Sequence, residues 1–310
     1  MSAPVLVAAP NLALDRIVRL PELRPGEVQR FRDADVRAGG KGVNVCRAAR
    51  LLGAKARLVA LTPGRTGEAV ADLLADENVD LVAIRCSGEV RVATIVLEDS
   101  GRVTVLNEPG PRLSAEEWSA YEQAVETNLN EGFLVCSGST PPGTPIDAFA
   151  RLAKGRLALV DATGQALAAA LEARPEWVTP NVTEAEEALF GRAWQSTSAG
   201  ADAADRAAGA AAELVRRGAN NAAVTAGQAG VAVDGVDGPS FVRAPWIRQR
   251  NPIGAGDCFA AALVVALEAG RPPAEAIRNA VAVAAASVET DVPGIFDPDR
   301  ARRLEQEALV

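Results

Sequence analysis

Four short stretches of this chain hold residue types whose spacing could do chemistry. In "GAGD", 254–257, Gly254, Ala255 and Gly256 carry almost no side chain, so another atom can approach their backbone closely. The apolar run "CFAAALVVAL" follows at once. If a helix starts here, its first amides have no partner within the helix and stand at the positive end of its dipole. That is a hole for a developing anion. Asp257, in the first turn, could take a proton from an attacking hydroxyl. The combination suits phosphoryl transfer, in which positioning and charge neutralisation supply most of the catalysis. The same four letters also describe a plain helix start, with small residues for close packing and Asp as a cap.

The other three stretches are each ambiguous alone. "AGGKGVNVCRAARLLG", 38–53, is not a Walker A loop, because Lys41 is followed by Gly42 rather than Ser or Thr. Its Gly39, Gly40, Lys41 and Asn44 could grip sugar hydroxyls and a phosphate at a helix N-terminus; it could equally be a Gly-rich turn with a solvated lysine. In "VTPNVTEAE", 178–186, Asn181 and Glu184 lie three apart and can share one face of a helix start. They suit support of hydrated Mg²⁺ on nucleotide phosphates, or simply a capping box, for which "TEAE" from Thr183 also has the pattern. "VTAGQAGVAV", 224–233, reads as strand, Gly-rich turn and strand: a flat border for a nucleotide, or an ordinary hairpin.

Composition narrows the choices. The chain of 310 residues has no histidine, which excludes a Ser-His-Asp triad, an HExxH metal site and a His general base. Acid–base work must fall to Asp, Glu, Lys, Cys or Tyr. Hydrophobic content of 48% with 23% charged residues allows a sizeable core, built from Ala, Val and Leu because aromatics make up only 4%. Lys+Arg 32 against Asp+Glu 40 gives −8, which argues against a general nucleic-acid binder and leaves room for a local basic pocket. The cysteines at 46, 86, 136 and 258 form no CxxC and fit a reducing cytosol. "MSAPVLVAAPNLALDR" lacks a basic leader, and no apolar stretch reaches the roughly 18 residues of a membrane span. A cytoplasmic location with no membrane partner is expected.

These residues need elements to hold them. Val/Leu-rich runs at 5–9, 57–61, 133–136, 157–161, 177–179 and 222–225 predict buried strands. Helices are predicted over roughly 42–52, 66–76, 115–129, 145–154, 183–190 and 201–217, with "SAEE" from Ser114 as a further capping box. Such alternation predicts a mostly parallel sheet covered on both faces, with ligands bound beyond the carboxyl ends of its strands. Segments 12–38 and 86–107 instead alternate with period two, and "LEDSGRVTV" predicts a hairpin turning at Asp99-Ser100-Gly101. A small separate sheet, serving as a lid over the cleft, is expected from them.

Taken together, GGKGxN, NxxE, TxGxxG and GAGD occur in one order over essentially the whole chain. That order resembles the PfkB/ribokinase-type family of ATP-dependent carbohydrate kinases. "AGGKGVNVCRAARLLG", "NEPGP" at 107–111 and "SGSTPPG" at 137–143 look like its phosphosugar branch, which contains 1-phosphofructokinases, tagatose-6-phosphate kinases and a minor type of 6-phosphofructokinase. The resemblance implies a single domain over 1–310. Its fold is an α/β ribokinase-like three-layer sandwich, with a mostly parallel central sheet flanked by helices and a small β-sheet lid that often mediates homodimers. It implies ATP and Mg²⁺. It makes Asp257 the catalytic base and Gly254, Ala255 and Gly256 the anion hole. Asp15, Gly39, Gly40, Lys41 and Asn44 are implied to hold the sugar, with Arg91 and Ser139 at its existing phosphate. Asn181, Thr225, Gly227, Gly230 and Asn279 are implied on the nucleotide side, and Glu184 at Mg²⁺ through water. The chain departs from many members at Leu12 (usually Pro), Thr140 (usually Leu) and Thr179 (usually Lys), and the last removes a cation near the triphosphate. Asn251-Pro252 before "IGAGD" is closer to the tagatose-6-phosphate kinases.

The expected activity is therefore ATP-dependent phosphorylation of fructose 1-phosphate or tagatose 6-phosphate to the bisphosphate. Fructose 6-phosphate, or an unphosphorylated sugar or nucleoside, is the alternative acceptor. A catalytically idle sugar-phosphate sensor is the reading from another class.

Overall fold

The structure, a computed structural model, describes residues 4–191 and 202–307. Its first half contains β1 (Val5–Ala8), β2 (Ala13–Leu20), β3 (Ala34–Gly39), α1 (Lys41–Leu51), β4 (Ala56–Leu61), α2 (Gly64–Asp76), β5 (Asp80–Ile84), β6 (Arg91–Glu98), β7 (Val103–Asn107), α3 (Ala115–Thr127) and β8 (Leu134–Ser137). Then follow α4 (Ala148–Ala153), β9 (Ala158–Asp161), α5 (Gly164–Ala170), β10 (Trp177–Val178), α6 (Val182–Phe190), α7 (Asp202–Arg216), β11 (Asn221–Thr225), β12 (Gly230–Asp234), β13 (Ser240–Arg243), α8 (Ala255–Glu268), α9 (Pro273–Ser287) and α10 (Pro298–Glu307). The first residue of the helix expected over 201–217 lies outside the described residues. The helix expected from 145 begins at Ala148 instead, because Pro145 and its neighbours form a turn whose carbonyl accepts from the Ala148 amide.

Nine strands form one sheet in the order β13-β12-β11-β10-β9-β8-β1-β4-β5, parallel except for the β11–β12–β13 edge. Period two sorts its side chains into two cores. Val5, Val7, Leu58 and Ala60 point to the layer of α1, α8 and α9; Leu6, Ala8, Val59 and Leu61 point to the layer of α3 to α7. This is the expected three-layer α/β sandwich. From β1 the chain winds one way through β4 and β5, and from β8 the other way through β11, so the order reverses between β1 and β8. A crevice opens beyond the carboxyl ends of strands at such a reversal.

Four strands, in the order β3-β2-β6-β7, form the small second sheet expected from the period-two segments. The hairpin at Asp99 to Gly101 is present, with Gly101 at φ +83° and its amide donating to the Glu98 carbonyl. One face of this sheet turns to the crevice. Its foot is held there by Ile17, Ile95 and Leu97, packed with Ile253 just before the GAGD stretch.

Close packing of α1 against the large sheet rests on Gly42. A Cβ there would lie 2.2 Å from the Ala9 Cβ, so the helix cannot keep its seat with a larger residue. Gly42→Ala is expected to cost about 1–3 kcal/mol through overpacking. A urea titration checks this: the midpoint falls while the slope stays unchanged.

Candidate active site

Asp257 lies in the first turn of α8 and is 4% exposed. The helix takes Gly254 as its N-cap, at φ +84°, with no side-chain cap. Asp257 is therefore not a cap. Its Oδ2 accepts a hydrogen bond from Asn44 Nδ2 at 2.7 Å, across from α1. Gly254 is required by its left-handed backbone and because a Cβ would press on Gly294 N and Pro293. A Cβ on Gly256 would meet nothing within 4 Å, so open space lies beside this residue, while the Ala255 amide makes a long bond to the Pro252 carbonyl at 3.4 Å. Burial pushes the Asp257 carboxyl up to about 7; the Lys41 ammonium and the Asn44 hydrogen bond oppose this, and Asp161 and Glu184 add to it.

Lys41, first residue of α1, is not solvated. Its Nζ donates to Asp161 Oδ1 and to Glu184 Oε1, each at 3.0 Å. Burial alone would lower its pKa, and the three neighbouring carboxylates more than offset that, leaving it above the ordinary value. Asp161 ends β9 at 2% exposure, and burial holds its carboxyl above the usual range despite Lys41. Glu184 comes from a capping box at α6, two residues earlier than the "TEAE" reading. Asn181 is the N-cap and accepts from the Glu184 amide at 2.9 Å, while Glu184 Oε2 accepts from the Asn181 amide at 3.0 Å. Asn outranks Thr as an N-cap. So the plain capping reading holds, and the carboxylate oxygen left over meets Lys41.

At the small sheet, Asp15 on β2 is 7% exposed, and its carboxyl is pushed up to about 6 by burial, against the pull of Arg47 and Arg91. Gly39 on β3 makes room for it: a Cβ there would fall 2.1 Å from the Asp15 carboxyl carbon. Arg91 starts β6 and donates to Asn107 Oδ1 at 3.2 Å, while its buried Nε has no partner. Ser139, after β8, has its Oγ within 3.0 Å of the donor Asn11 Nδ2.

All these elements border one cavity of about 1190 Å³. Asp15, Gly40, Lys41, Asn44, Arg91, Ser139, Asn181, Glu184, Thr225, Gly227, Gly230 and the run Gly254 to Asp257 line it. Two expected residues do not. Gly39 stands behind Asp15. Asn279 donates to Glu305 on α10 at 2.8 Å, because α9 turns Val281, Ala284, Ala285 and Val288 to the cavity and residue 279 falls on the opposite side. The hairpin reading of 224–233 holds, and its Thr225–Gly230 turn is on the rim.

Among the described residues, seven buried side-chain polar atoms lack a hydrogen-bond partner, and all but Trp118 Nε1 belong to cavity residues: Asn11, Arg91, Ser137, Thr144, Asp161 and Thr179. Buried polar atoms are normally paired, so their gathering marks where a polar ligand is received. Sequence reasoning missed Asp161 and Asn11. A signal existed for both: an apolar strand ending in a carboxylate, and an amide directly after the first strand. Ser137, Asp161 and Thr179 stand side by side at the ends of adjacent strands.

A buried base beside amide donors, with a fixed ammonium and acidic neighbours, is chemically suited to transfer of a charged group onto a hydroxyl. The chain matches the family described as "pfkB family carbohydrate kinase" over residues 9–299. It is 31% identical over 292 residues to the ATP-dependent 6-phosphofructokinase isozyme 2 of Escherichia coli strain K12, covering 91% of each chain. It is 32% identical over 279 residues to a 1-phosphofructokinase of Xanthomonas campestris, covering 86% of this chain and 85% of that one. The crystal structure of phosphofructokinase-2 from Escherichia coli in complex with fructose-6-phosphate superposes with a TM-score of 0.87 at 26% identity, over 100% of both chains.

The position of Asp257 has a consequence for stability. Its folded pKa of about 7 exceeds the unfolded 3.8, so the native state holds the proton more tightly. Its contribution to stability is then lost as pH rises from about 4 to 7. Asp257→Asn, which keeps an oxygen for Asn44 and never ionises, is expected to melt higher than the parent at pH 8 and alike near pH 4. Thermal melts at the two pH values check this.

Proposed function

The chain belongs to the pfkB family of carbohydrate kinases, and on that premise we propose that it transfers the γ-phosphoryl group of ATP to the free primary hydroxyl of a ketohexose phosphate. The observation that carries the phosphorylated acceptor is Arg91. Lys41 and Arg91 are the cations among the described cavity residues, and Lys41 is already shared between two carboxylates. Arg91 forms no salt bridge among the described residues and keeps a buried Nε without partner, so its fork is available to a phosphate. Asp15 and Asn44 face sugar hydroxyls, with Ser139 near the phosphate and Gly39 and Gly40 shaping the turn.

In this reading the acceptor oxygen attacks the γ-phosphorus in line. A new P–O bond forms, the bond to the β-phosphate oxygen breaks, and ADP leaves. Asp257 accepts the hydroxyl proton; Asn44 occupies its Oδ2, and the other oxygen faces the acceptor. The amides of Gly254, Ala255 and Gly256 receive the charge on the transferring group. Thr225, Gly227 and Gly230 border the nucleotide, with Asn181 beside the triphosphate. No three His, Cys, Asp or Glu side chains gather as a metal cage among the described residues. That fits Mg²⁺, which keeps most of its water and travels on the triphosphate. Asp161, with its unpartnered Oδ2, and Glu184 would hold it through water, and it would neutralise phosphate charge. The small sheet, a lid formed by residues near 12–38 and 86–107, would exclude water from the transfer. Its outer row of Val36, Arg16, Thr94 and Leu106, with Val36 43% and Leu106 62% exposed, suits contact with a second copy. Free thiols and the absence of any described helix apolar enough to cross a membrane are compatible with a cytoplasmic enzyme.

A coupled ADP-release assay with fructose 1-phosphate, fructose 6-phosphate and tagatose 6-phosphate tests the reading. Turnover is expected with at least one, and none with all three would overturn it in favour of an unphosphorylated acceptor or a non-catalytic sensor. With the preferred acceptor, Arg91→Ala is expected to raise its KM by about 10- to 100-fold, the worth of a charge-assisted hydrogen bond, with kcat changed less. An unchanged KM would favour an unphosphorylated acceptor. Asp257→Asn is expected to lower kcat by about 10²- to 10⁴-fold.

A further inference from the structure

The stretch between β13 and α8 carries a residue that the proposed chemistry leaves unused. Trp246 is 90% exposed, more than any other large hydrophobic residue among those described as exposed. A bare indole is a large apolar surface left in water, and aromatic side chains of this kind commonly anchor a binding partner. Trp246 lines the main cavity, and with Ala244 and Pro245 it forms a wall shared with a second cavity of about 760 Å³. Pro245 restricts the backbone φ just before it.

What lies around that wall decides what could cover it. The same cavity is lined by the Thr225–Gly230 turn, whose Gly230 pairs with Arg243 at the end of β13, by Gln249, and by the apolar side of α9 at Val281, Ala284, Ala285 and Val288. These residues of the main cavity include no cation and no carboxylate, whereas the second cavity is also lined by Asp234, Asp237, Arg243, Arg278 and Glu307. The charged groups (Asp15, Lys41, Arg91, Glu108, Asp161, Glu184 and Asp257) belong to other elements of the lining. An apolar lining with a few neutral hydrogen-bonding groups and one exposed indole, on the main-cavity side, suits a planar heteroaromatic ring better than a phosphate or a sugar.

We propose that Trp246 stacks on the purine base of the phosphoryl donor, closing its open face against the apolar side of α9. The inference rests on the kinase reading above and adds the residue that selects the donor's base. It also accounts for the idle Asn279: base recognition here comes through stacking and shape, and α9 contributes methyl groups instead of an amide.

The test uses the whole protein. Trp246→Ala is expected to raise the KM for ATP by about tenfold or more, the usual scale of base–aromatic stacking, while the KM for the phosphosugar holds. Trp246→Phe should restore most of the loss. Intrinsic fluorescence gives an independent readout: ATP should quench the parent, inorganic tripolyphosphate should not, and Trp246→Phe should lose the ATP-dependent quench. An unchanged KM for ATP in Trp246→Ala, with normal turnover, overturns this inference and leaves the kinase reading standing. No turnover in the parent with any acceptor sinks the kinase reading instead. A change in mass by light scattering in Trp246→Ala, without a change in KM, would assign the indole to a subunit contact and overturn the proposal.

Discussion

One ammonium facing three carboxylates is the constraint on which the site depends. Lys41 comes from the first turn of α1, Asp161 from the end of β9, Glu184 from the first turn of α6 and Asp257 from the first turn of α8. Away from water, each carboxylate costs free energy unless a cation or hydrogen bond offsets it. Lys41 bonds directly to two of them, and Asp257 is left with Asn44 and only the longer-range field of the ammonium. Burial raises both Asp161 and Asp257, and Asp257, with no direct ion pair, is pushed up to about 7, where a general base is most useful.

Meeting that constraint requires three helix starts and one strand end to converge, and the fold supplies them at the reversal of strand order beside β1. Glycines set the approach. Gly42 seats α1 on β1, Gly294 makes room for Asn44, since a Cβ there would lie 2.7 Å from the Asn44 Cα, and Gly254 bends the chain into α8. The segment before α8 is itself pinned. Asn251 donates to the Asp291 carbonyl, and the Asp291 carboxylate receives Arg250 and, from the small sheet, Arg19. With Ile253 packed on Ile17, Ile95 and Leu97, the start of α8 and the small sheet share one mount.

Much of this was legible in the sequence. Central strands announced themselves as short apolar runs because they are buried on both faces, and the GAGD helix did so through its Ala/Val content. The edges did not. β5 and β13 lie at the two ends of the large sheet with half-exposed side chains, so neither a buried run nor clean alternation marks them. Likewise α5 and α9 are so rich in alanine that no apolar stripe stands out. Ordered motifs pointed to residues most of which line one cavity, but their pairings are three-dimensional. That Lys41 meets Asp161 and Glu184, 120 and 143 residues away, is a property of the strand order. Asn279 misled because its place on α9 depends on helix phase, which the letters alone did not fix.

The proposed transfer depends on Asp257, whose affinity for protons burial raises, acting as the base. The most direct measurement is the pH dependence of kcat/KM with the phosphosugar varied and ATP saturating. An acid limb governed by one ionisation near pH 7 is predicted, following the folded pKa of about 7. A profile flat from pH 5.5 to 8.5, or a limb near the ordinary carboxylate value of roughly 4, would contradict it.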